Sequence, residues 1–247
     1  MANLVIDIGN TFLKIAVFAQ DKLLYTKYYS SLDAEILLSI TDQYQVNKAI
    51  ISSVRKEAED WRVALEEKVH LQYFNVEMTA GIRNQYKTPN TLGPDRLAAV
   101  IGAKKLYPGN GSLVIDAGTT ITYDWVDVGG NYFGGSISPG LNMRYKALNY
   151  YTGKLPLIAI DDEFDSDYGD DTASAIKSGV QNGIKYELNG FIESYQQKEP
   201  ELNIILTGGD SIFFDTLLKN SIFAPYIKNE PYLVLEGLNA AIQNNND

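Results

Sequence analysis

Two short polar motifs, each placed after a run of apolar residues, hold the side chains of this protein that are best suited to binding phosphate. They read Asp7-x-Gly9-Asn10-Thr11-x-x-Lys14 and Asp116-x-Gly118-Thr119-Thr120. Glycine lets the backbone turn tightly and bring its N–H donors close to a phosphate, and an aspartate can hold a hydrated magnesium ion. One such motif is also what a polar hairpin turn would show, but two copies favour a pair of loops that clamp a polyphosphate.

The two motifs belong to a longer internal repeat. The segment from Leu4 to Thr11 recurs as Leu113 to Thr120 with six of the eight positions identical, and a second strand pattern follows each copy. A repeat of this kind predicts two similar domains that face each other across a cleft. In α/β proteins, polar turns at the ends of buried strands are where ligands bind.

The apolar patterns around the repeats predict an α/β protein. Each half begins with three strands in a meander and continues with alternating helices and strands. Gly109-Asn110-Gly111 interrupts the chain directly before the second repeat. We therefore predict one domain over residues 1–111 and a second domain over residues 112–247.

The segment Gly93-Pro94-Asp95-Arg96 predicts a helix that begins with chemically useful side chains. Proline suits the first turn of a helix, where the dipole and the free N–H groups keep a carboxylate ionised. A fixed carboxylate at Asp95 can orient and deprotonate an alcohol during phosphoryl transfer, and the Arg96 fork can bind a carboxylate or a phosphate. An ordinary helix start followed by a surface arginine would show the same residues. The only histidine, His70, lies away from every motif, so we expect any general base to be a carboxylate.

The composition narrows the class of protein. A net charge of −10 disfavours non-specific binding to nucleic acid or anionic membranes, and no apolar run of about 18 residues is present to span a bilayer. The absence of cysteine excludes disulfides and thiolate zinc sites, and the N-terminus shows no signal-peptide pattern. These features predict a cytoplasmic protein. The acidic stretch from Asp161 to Asp171 is interpreted as a solvated loop and not as a metal site.

A helical pattern extends from about Thr172 to Tyr195. Apolar residues occupy every fourth position of this segment: Ile176, Val180, Ile184, Leu188 and Ile192. Such a stripe can pack on a helix of a second subunit or in the core of its own domain, and the sequence leaves both alternatives open.

Taken in order, these elements resemble type III pantothenate kinase over nearly the whole chain. The resemblance is carried by Asp7 to Lys14, Tyr86, Gly93 to Arg96, Asp116 to Thr120, Gly134-Gly135, Pro139-Gly140, Thr172, Ser178-Gly179 and Thr207 to Gly209. The Gly-x-Asp-Arg element separates this family from other actin-like ATPases, which share the two phosphate loops. The resemblance implies a duplicated actin-like (ribonuclease H-like) fold with two similar domains around a nucleotide cleft.

The resemblance also implies an activity and the residues that perform it. The activity is ATP-dependent phosphorylation of pantothenate to 4′-phosphopantothenate, the first step of coenzyme A biosynthesis, by a homodimer that uses ATP with Mg²⁺ and a monovalent cation, K⁺ or NH₄⁺. Asp95 is then the catalytic proton acceptor, and Asp116 holds the monovalent cation. The residues implied to bind ATP are Asp7, Ile8, Gly9, Asn10, Thr11, Phe12, Leu13, Lys14 and Thr119. Those implied to bind pantothenate are Tyr86, Gly93, Pro94, Asp95, Arg96 and Thr172, with Thr172 reaching over from the partner subunit near the start of its helix.

Two other functions stay open at this point. A different actin-fold phosphotransferase, such as a sugar kinase, would use the same loops and the same base. The family also includes Bvg accessory factor, named for a role in transcription, so a non-catalytic regulator is the second alternative. Loss of Lys14 or Asp95 would favour a regulator, and both residues are present.

Overall fold

Strands and helices alternate in two groups that follow the sequence repeat. The computed structural model describes residues 2–9, 12–53 and 61–244. Its strands are β1 (Ala2–Ile8), β2 (Leu13–Ala19), β3 (Lys22–Tyr29), β4 (Val46–Ser53), β5 (His70–Tyr73), β6 (Arg83–Asn84), β7 (Ser112–Ala117), β8 (Thr120–Val126), β9 (Asn131–Pro139), β10 (Asn203–Thr207) and β11 (Ile227–Asn229). Its α-helices are α1 (Ala34–Tyr44), α2 (Trp61–Glu66), α3 (Pro94–Leu106), α4 (Leu141–Tyr151), α5 (Thr172–Lys177), α6 (Gly183–Gln196), α7 (Ser211–Leu218) and α8 (Leu233–Asn244).

The first unit is built on a five-stranded sheet with the order β3-β2-β1-β4-β5. The central strand β1 pairs antiparallel with β2 and parallel with β4. Because side chains alternate along a strand, β1 presents two faces, and every residue of this strand except Asn3 is buried. Helices therefore have to cover both faces of the sheet.

Each face of this sheet packs on a different pair of helices. Leu4, Ile6 and Ile8 form one core cluster with residues of α1 and α2. The opposite face is covered by α3 and α8, and there the Asn3 amide donates a hydrogen bond of 3.1 Å to Asn239 of α8. The face that carries Asn3, Val5 and Asp7 is therefore the face beneath α3.

Helices α3 and α8 approach each other at backbone distance. Glycines make this approach possible, because a Cβ placed on Gly237 would lie 1.8 Å from the carbonyl oxygen of Ala98. A Cβ placed on Gly102 would lie 2.4 Å from the carbonyl oxygen of Leu233. Helix α3, which carries Asp95 in its first turn, is thus held against the C-terminal helix at Ala98 and Gly102.

The second unit repeats the meander in a sheet with the strand order β11-β10-β7-β8-β9. Strand β7 pairs antiparallel with β8 and parallel with β10, as β1 pairs with β2 and β4 in the first unit. The short strand β6 pairs with Asn131 and Tyr132, the first residues of β9, and all four residues belong to the first unit.

The compact units differ from the predicted domains of 1–111 and 112–247. The first unit comprises residues 1–108, 130–132 and 232–247, and the second comprises residues 109–129 and 133–231. The change of unit near residue 108 lies close to the predicted boundary. The C-terminal segment instead returns to the first unit, because α8 supplies the apolar face and the small residues against which α3 packs.

The apolar stripe of the predicted long helix belongs to the core of its own unit. This segment is α5, a π-helical turn over Ser178–Asn182, and α6. All five residues of the stripe are buried in one cluster with Leu113 and Ile115 of β7. Packing within the domain, the second of the two alternatives left open by the sequence, is therefore the one that the structure shows, and the stripe is not available to a second subunit.

The acidic stretch lies on the surface of the second unit. Most of its residues are exposed, and Asp161 pairs with Lys177 of α5 at 2.6 Å. Within the described ranges, no three carboxylate or histidine side chains are grouped to hold a metal ion. Among the same residues, no helix is both long enough and apolar enough to cross a membrane.

Candidate active site

A row of polar side chains crosses the end of the first sheet. Asp7 is the register partner of Lys14 on β2 and of Ser52 on β4, and Lys14 is in turn paired with Tyr28 on β3. Register partners on neighbouring strands project to the same face, so these four side chains lie side by side on one face of the first sheet. The Lys14 ammonium lies 5.8 Å from the centre of the Tyr28 ring, in the range of a cation–π contact.

Asp7 is the buried centre of this row. It is 6% exposed, and burial raises the pKa of its carboxyl group to about 6. The charge of Lys14 opposes this rise in the pKa, and the charge of Asp95 adds to it. The first motif and the start of α3 therefore lie within electrostatic range of each other in the first unit.

Asp95 is held in place by the first turn of α3. Gly93 is the N-cap and Pro94 the first helical residue, which places Asp95 at the second position of the helix. The Asp95 carboxylate accepts a hydrogen bond of 2.9 Å from the N–H of Arg96. A Cβ on Gly93 would lie 2.6 Å from the Asp95 Oδ1 atom, so a larger residue there would displace the carboxylate that folds back over the cap.

Arg96 is buried, so the alternative that it is an ordinary surface arginine does not hold. Its side chain is 6% exposed, and its guanidinium lies 5.6 Å from the centre of the Tyr86 ring. Tyr86 stacks on Tyr132 with ring centres 6.3 Å apart and planes inclined by 7°. The stacked Tyr86 ring therefore helps to hold the Arg96 guanidinium in place, in the unit that also carries Asp95.

The second motif forms the turn between β7 and β8 in the second unit. Asp116 is half-buried near the end of β7, and Thr119 in the turn is exposed. The carbonyl oxygen of Thr119 accepts a hydrogen bond of 3.2 Å from the N–H of Gly140. A Cβ on Gly140 would lie 2.2 Å from the carbonyl oxygen of Gly118, so the Pro139-Gly140 element packs directly on this turn.

The Thr207-Gly208-Gly209 element packs against the other side of the same motif. Gly208 has a φ of +92°, and a Cβ there would lie 2.3 Å from the Asp116 Oδ1 atom and 2.4 Å from the carbonyl oxygen of Ala117. The carbonyl oxygen of Ala117 also accepts a hydrogen bond of 2.9 Å from the N–H of Asp210. Three glycine-containing elements that are distant in sequence thus meet around Asp116.

The structure places the predicted site residues in two sets. The first unit brings together Asp7, Lys14, Tyr86, Asp95 and Arg96, and the second unit carries Asp116, Thr119 and Thr172. Thr172 is exposed at the start of α5, directly after the helix cap formed by Asp171. Asn10 and Thr11 lie outside the described residues.

The side chains of the remaining residues that were predicted to bind ATP differ in their surroundings. Ile8 and Leu13 are buried in the apolar core, so only their backbone can face a nucleotide. Phe12 is 48% exposed in the turn between the strands. The sequence did not reveal Ser52 beside Asp7 or Tyr28 beside Lys14, because both places follow from strand pairing, and no local motif signals that pairing.

Comparison with known proteins gives consistent matches along the chain. A model of the type III pantothenate kinase family matches residues 3–194. A type III pantothenate kinase of Bacteroides fragilis is 44% identical over 245 residues, which cover 99% of this chain and 98% of the relative. A solved protein of Campylobacter jejuni, assigned to the Baf family of transcriptional activators, aligns with a TM-score of 0.59 at 23% identity and 98% coverage of both chains. The activator of 2-hydroxyisocaproyl-CoA dehydratase from Clostridium difficile, solved with bound ADPNP, gives a TM-score of 0.57 at 12% identity, covering 98% of this chain and 94% of that one.

At such low identity the solved structures show the fold alone. Together with the two matching meanders, they establish the predicted duplicated actin-like fold. The sequence comparisons go further, because the family model spans most of the chain and the Bacteroides relative aligns end to end. On this evidence the chain belongs to the type III pantothenate kinase family.

Proposed function

We propose that this protein transfers the γ-phosphoryl group of ATP to pantothenate and so makes 4′-phosphopantothenate, the first step of coenzyme A biosynthesis in the cytoplasm. The observation that carries the proposal is the pairing of the buried Asp7 with Lys14 on neighbouring strands, in a chain of this family. A sugar kinase or a non-catalytic accessory factor is less well supported, since relatives matched over the full chain at 44% identity are named pantothenate kinases.

The residues around Asp7 suit the phosphate end of ATP. Lys14 supplies a positive charge, and the glycine turn that follows Asp7 supplies backbone donors. A carboxylate is the kind of oxygen ligand that Mg²⁺ prefers, and the buried hydroxyl of Ser52 lies beside it without a described partner, so the residues fit a hydrated ion. When bound, Mg²⁺ neutralises phosphate charge.

Asp95 is assigned the role of general base toward the alcohol of pantothenate. Its carboxylate is fixed by the Arg96 N–H and lies at the positive end of α3, which favours the ionised form that accepts a proton. The guanidinium of Arg96 is positioned by Tyr86 and can bind the carboxylate of pantothenate through two parallel hydrogen bonds. The alcohol proton then passes to an Asp95 oxygen as the phosphoryl group is transferred.

Asp116 is assigned to a monovalent cation, K⁺ or NH₄⁺. Its carboxylate oxygen and the carbonyl oxygen of Ala117 converge at Gly208, so closely that a Cβ there would overlap both oxygens. Carboxylate and carbonyl oxygens are suitable ligands for such an ion. We expect K⁺ to raise activity or nucleotide affinity and Asp116→Ala to abolish that response. Activity that is indifferent to K⁺, Na⁺ and NH₄⁺ alike would remove this site from the proposal.

The active unit is proposed to be a homodimer in which Thr172 contacts the substrate of the partner subunit. The support is the resemblance to the family and the exposed position of Thr172 on a capped helix. Two neighbouring aromatic residues of the same unit, Tyr150 and Tyr151, are 81% and 82% exposed, and exposed apolar groups of this size suit association.

A coupled assay of ADP release tests the proposed reaction directly. With Mg²⁺ and K⁺ present, we expect ADP release with pantothenate and little release with a panel of hexoses, because a guanidinium at Arg96 suits an anionic substrate group that hexoses lack. Mass spectrometry should identify 4′-phosphopantothenate as the product. Faster turnover of a sugar, or nucleotide binding without any transfer to pantothenate, would contradict the proposal.

A further inference from the structure

The hydroxyl group of Ser52 is buried in the first unit without a hydrogen-bond partner. The residue is 1% exposed, and no atom of the described chain pairs with its Oγ. A buried polar group without a partner costs free energy, so most such groups are paired with protein or water. The presence of an unpaired hydroxyl at this buried position is therefore not explained by packing.

The surroundings of Ser52 point to the active site. It is the register partner of Asp7, and Asp7 is the register partner of Lys14, so Ser52 and Lys14 flank the carboxylate on its two sides. All three side chains lie on the sheet face that packs on α8 and α3, and the N-terminal turn of α3 carries Asp95. A serine placed here adds one donor and two acceptor positions next to the proposed magnesium ligand.

We propose that Ser52 is a positioning residue of this site, whose hydroxyl hydrogen-bonds a water molecule of the hydrated Mg²⁺ that Asp7 holds with the nucleotide. Mg²⁺ in nucleotide sites keeps several of its water ligands, and these waters need hydrogen-bond acceptors. Residues that contact a metal only through its ligands commonly set metal affinity. The inference rests on the proposed kinase function, which supplies the Mg²⁺-nucleotide complex.

A Ser52→Ala variant separates this role from a structural one. Loss of an unpaired buried hydroxyl should leave the thermal stability of the ligand-free protein unchanged or raise it. Calorimetric titration of ADP at a series of Mg²⁺ concentrations should show that the variant needs about tenfold more Mg²⁺ for half-maximal binding. ADP affinity without Mg²⁺ should match the wild type. Ser52→Thr, which restores a hydroxyl, should restore much of the Mg²⁺ response.

Thr26 provides a matched control. Its hydroxyl is also buried and without a described partner, but it lies on β3 opposite Ala16, two strands away from β1. Thr26→Val removes this hydroxyl at nearly constant volume and should leave the Mg²⁺ dependence of ADP binding unaltered.

The possible results distinguish the two proposals. A wild-type protein that binds ADP without any dependence on Mg²⁺ overturns both the assignment of Ser52 and the proposed use of Mg²⁺-ATP. A wild type with clear Mg²⁺ dependence and a Ser52→Ala variant with the same dependence overturn the assignment of Ser52 alone. Loss of ligand-free stability with unchanged Mg²⁺ dependence would make Ser52 a structural residue and also overturn the inference.

Discussion

At the scale of single residues, Asp95 is the most direct test of the proposed chemistry. Asp95→Asn keeps the shape of the side chain and the hydrogen bond from the Arg96 N–H but removes the proton acceptor. We expect turnover with pantothenate to fall by about 10² or more while ATP affinity stays near normal. Glu35→Gln, a change at an exposed acidic residue in the first turn of α1, serves as the control. Turnover of Asp95→Asn close to that of the control would contradict the assignment of Asp95 as the general base.

The burial of Asp7 has a measurable consequence for stability. Because its pKa rises from 3.8 to about 6 on folding, the native state binds this proton more tightly than the unfolded state does. Stability therefore falls as pH rises from about 4 to about 6 and stays lower above that range, by up to about 3 kcal/mol. The burial of an ionised Asp7 therefore lowers the stability of the ligand-free protein above about pH 6.

Asp7→Asn should remove this pH-dependent cost. Urea unfolding of the ligand-free variant should show a gain of about 1–3 kcal/mol over the wild type at pH 8, and the gain should shrink toward zero near pH 4. The same variant should lose activity, since the proposed ligand of Mg²⁺ is gone. A difference from the wild type that does not change between pH 4 and pH 8 would show that the carboxylate is not buried as described.

Individual residues were predictable from the sequence where a local motif marks them. Asp7, Lys14 and Asp95 stand in short segments whose glycine and proline residues reveal turns and a helix start. Ser52 and Tyr28 stand in ordinary apolar or mixed strands, and only the register of β4 and β3 brings them beside Asp7 and Lys14. Register is set by tertiary pairing, so one sequence does not reveal it.

At the scale of elements, the repeat was sufficient to predict two meanders but not the destination of the last helix. The apolar spacing of α8 predicts one buried face but does not reveal which unit that face packs on. Small residues at the contact between α3 and α8 decide the packing partner. Gly237 on α8 and Gly102 on α3 let the two backbones meet. Asn239 adds a hydrogen bond of 2.8 Å to the carbonyl oxygen of Gln20, which fastens α8 to the turn between β2 and β3.

A pair of glycine substitutions tests this helix contact. Gly237→Ala places a methyl group against the carbonyl oxygen of Ala98, so we expect a loss of about 2 kcal/mol or more in the free energy of unfolding. Gly190 lies exposed within α6 and has no heavy atom within 4 Å of the added Cβ. Gly190→Ala should therefore stabilise the protein by about 0.5–1 kcal/mol. Equal effects of the two substitutions would contradict the close approach of α3 and α8.

The stripe on α5 and α6 shows why periodicity alone does not reveal an interface. Spacing of four predicts one apolar side of a helix, and a core and a subunit contact both need such a side. Here β7 and its neighbours bury the whole stripe. Whether the protein associates therefore depends on its outer surface and not on this stripe.

At the scale of the whole molecule, the proposed dimer can be tested by combining two inactive chains. Asp95→Asn should lack the base, and Thr172→Arg should block the neighbour's substrate, so each variant alone is expected to be inactive. In a mixed dimer, one site joins the intact Asp95 of one chain to the intact Thr172 of the other. Co-expression of both variants should then restore activity, to about a quarter of the wild-type value if the chains pair at random.

Two further measurements make the dimer test decisive. Thr172→Ser keeps a small hydroxyl-bearing residue at the helix start and should stay active as a single variant, which shows that the block by arginine is steric. Sedimentation at micromolar concentration should give twice the chain mass of 27.4 kDa. Full activity from a species that sediments as a monomer, or no recovery of activity in the co-expressed pair, would exclude a substrate contact across subunits, because each site would then be complete within one chain.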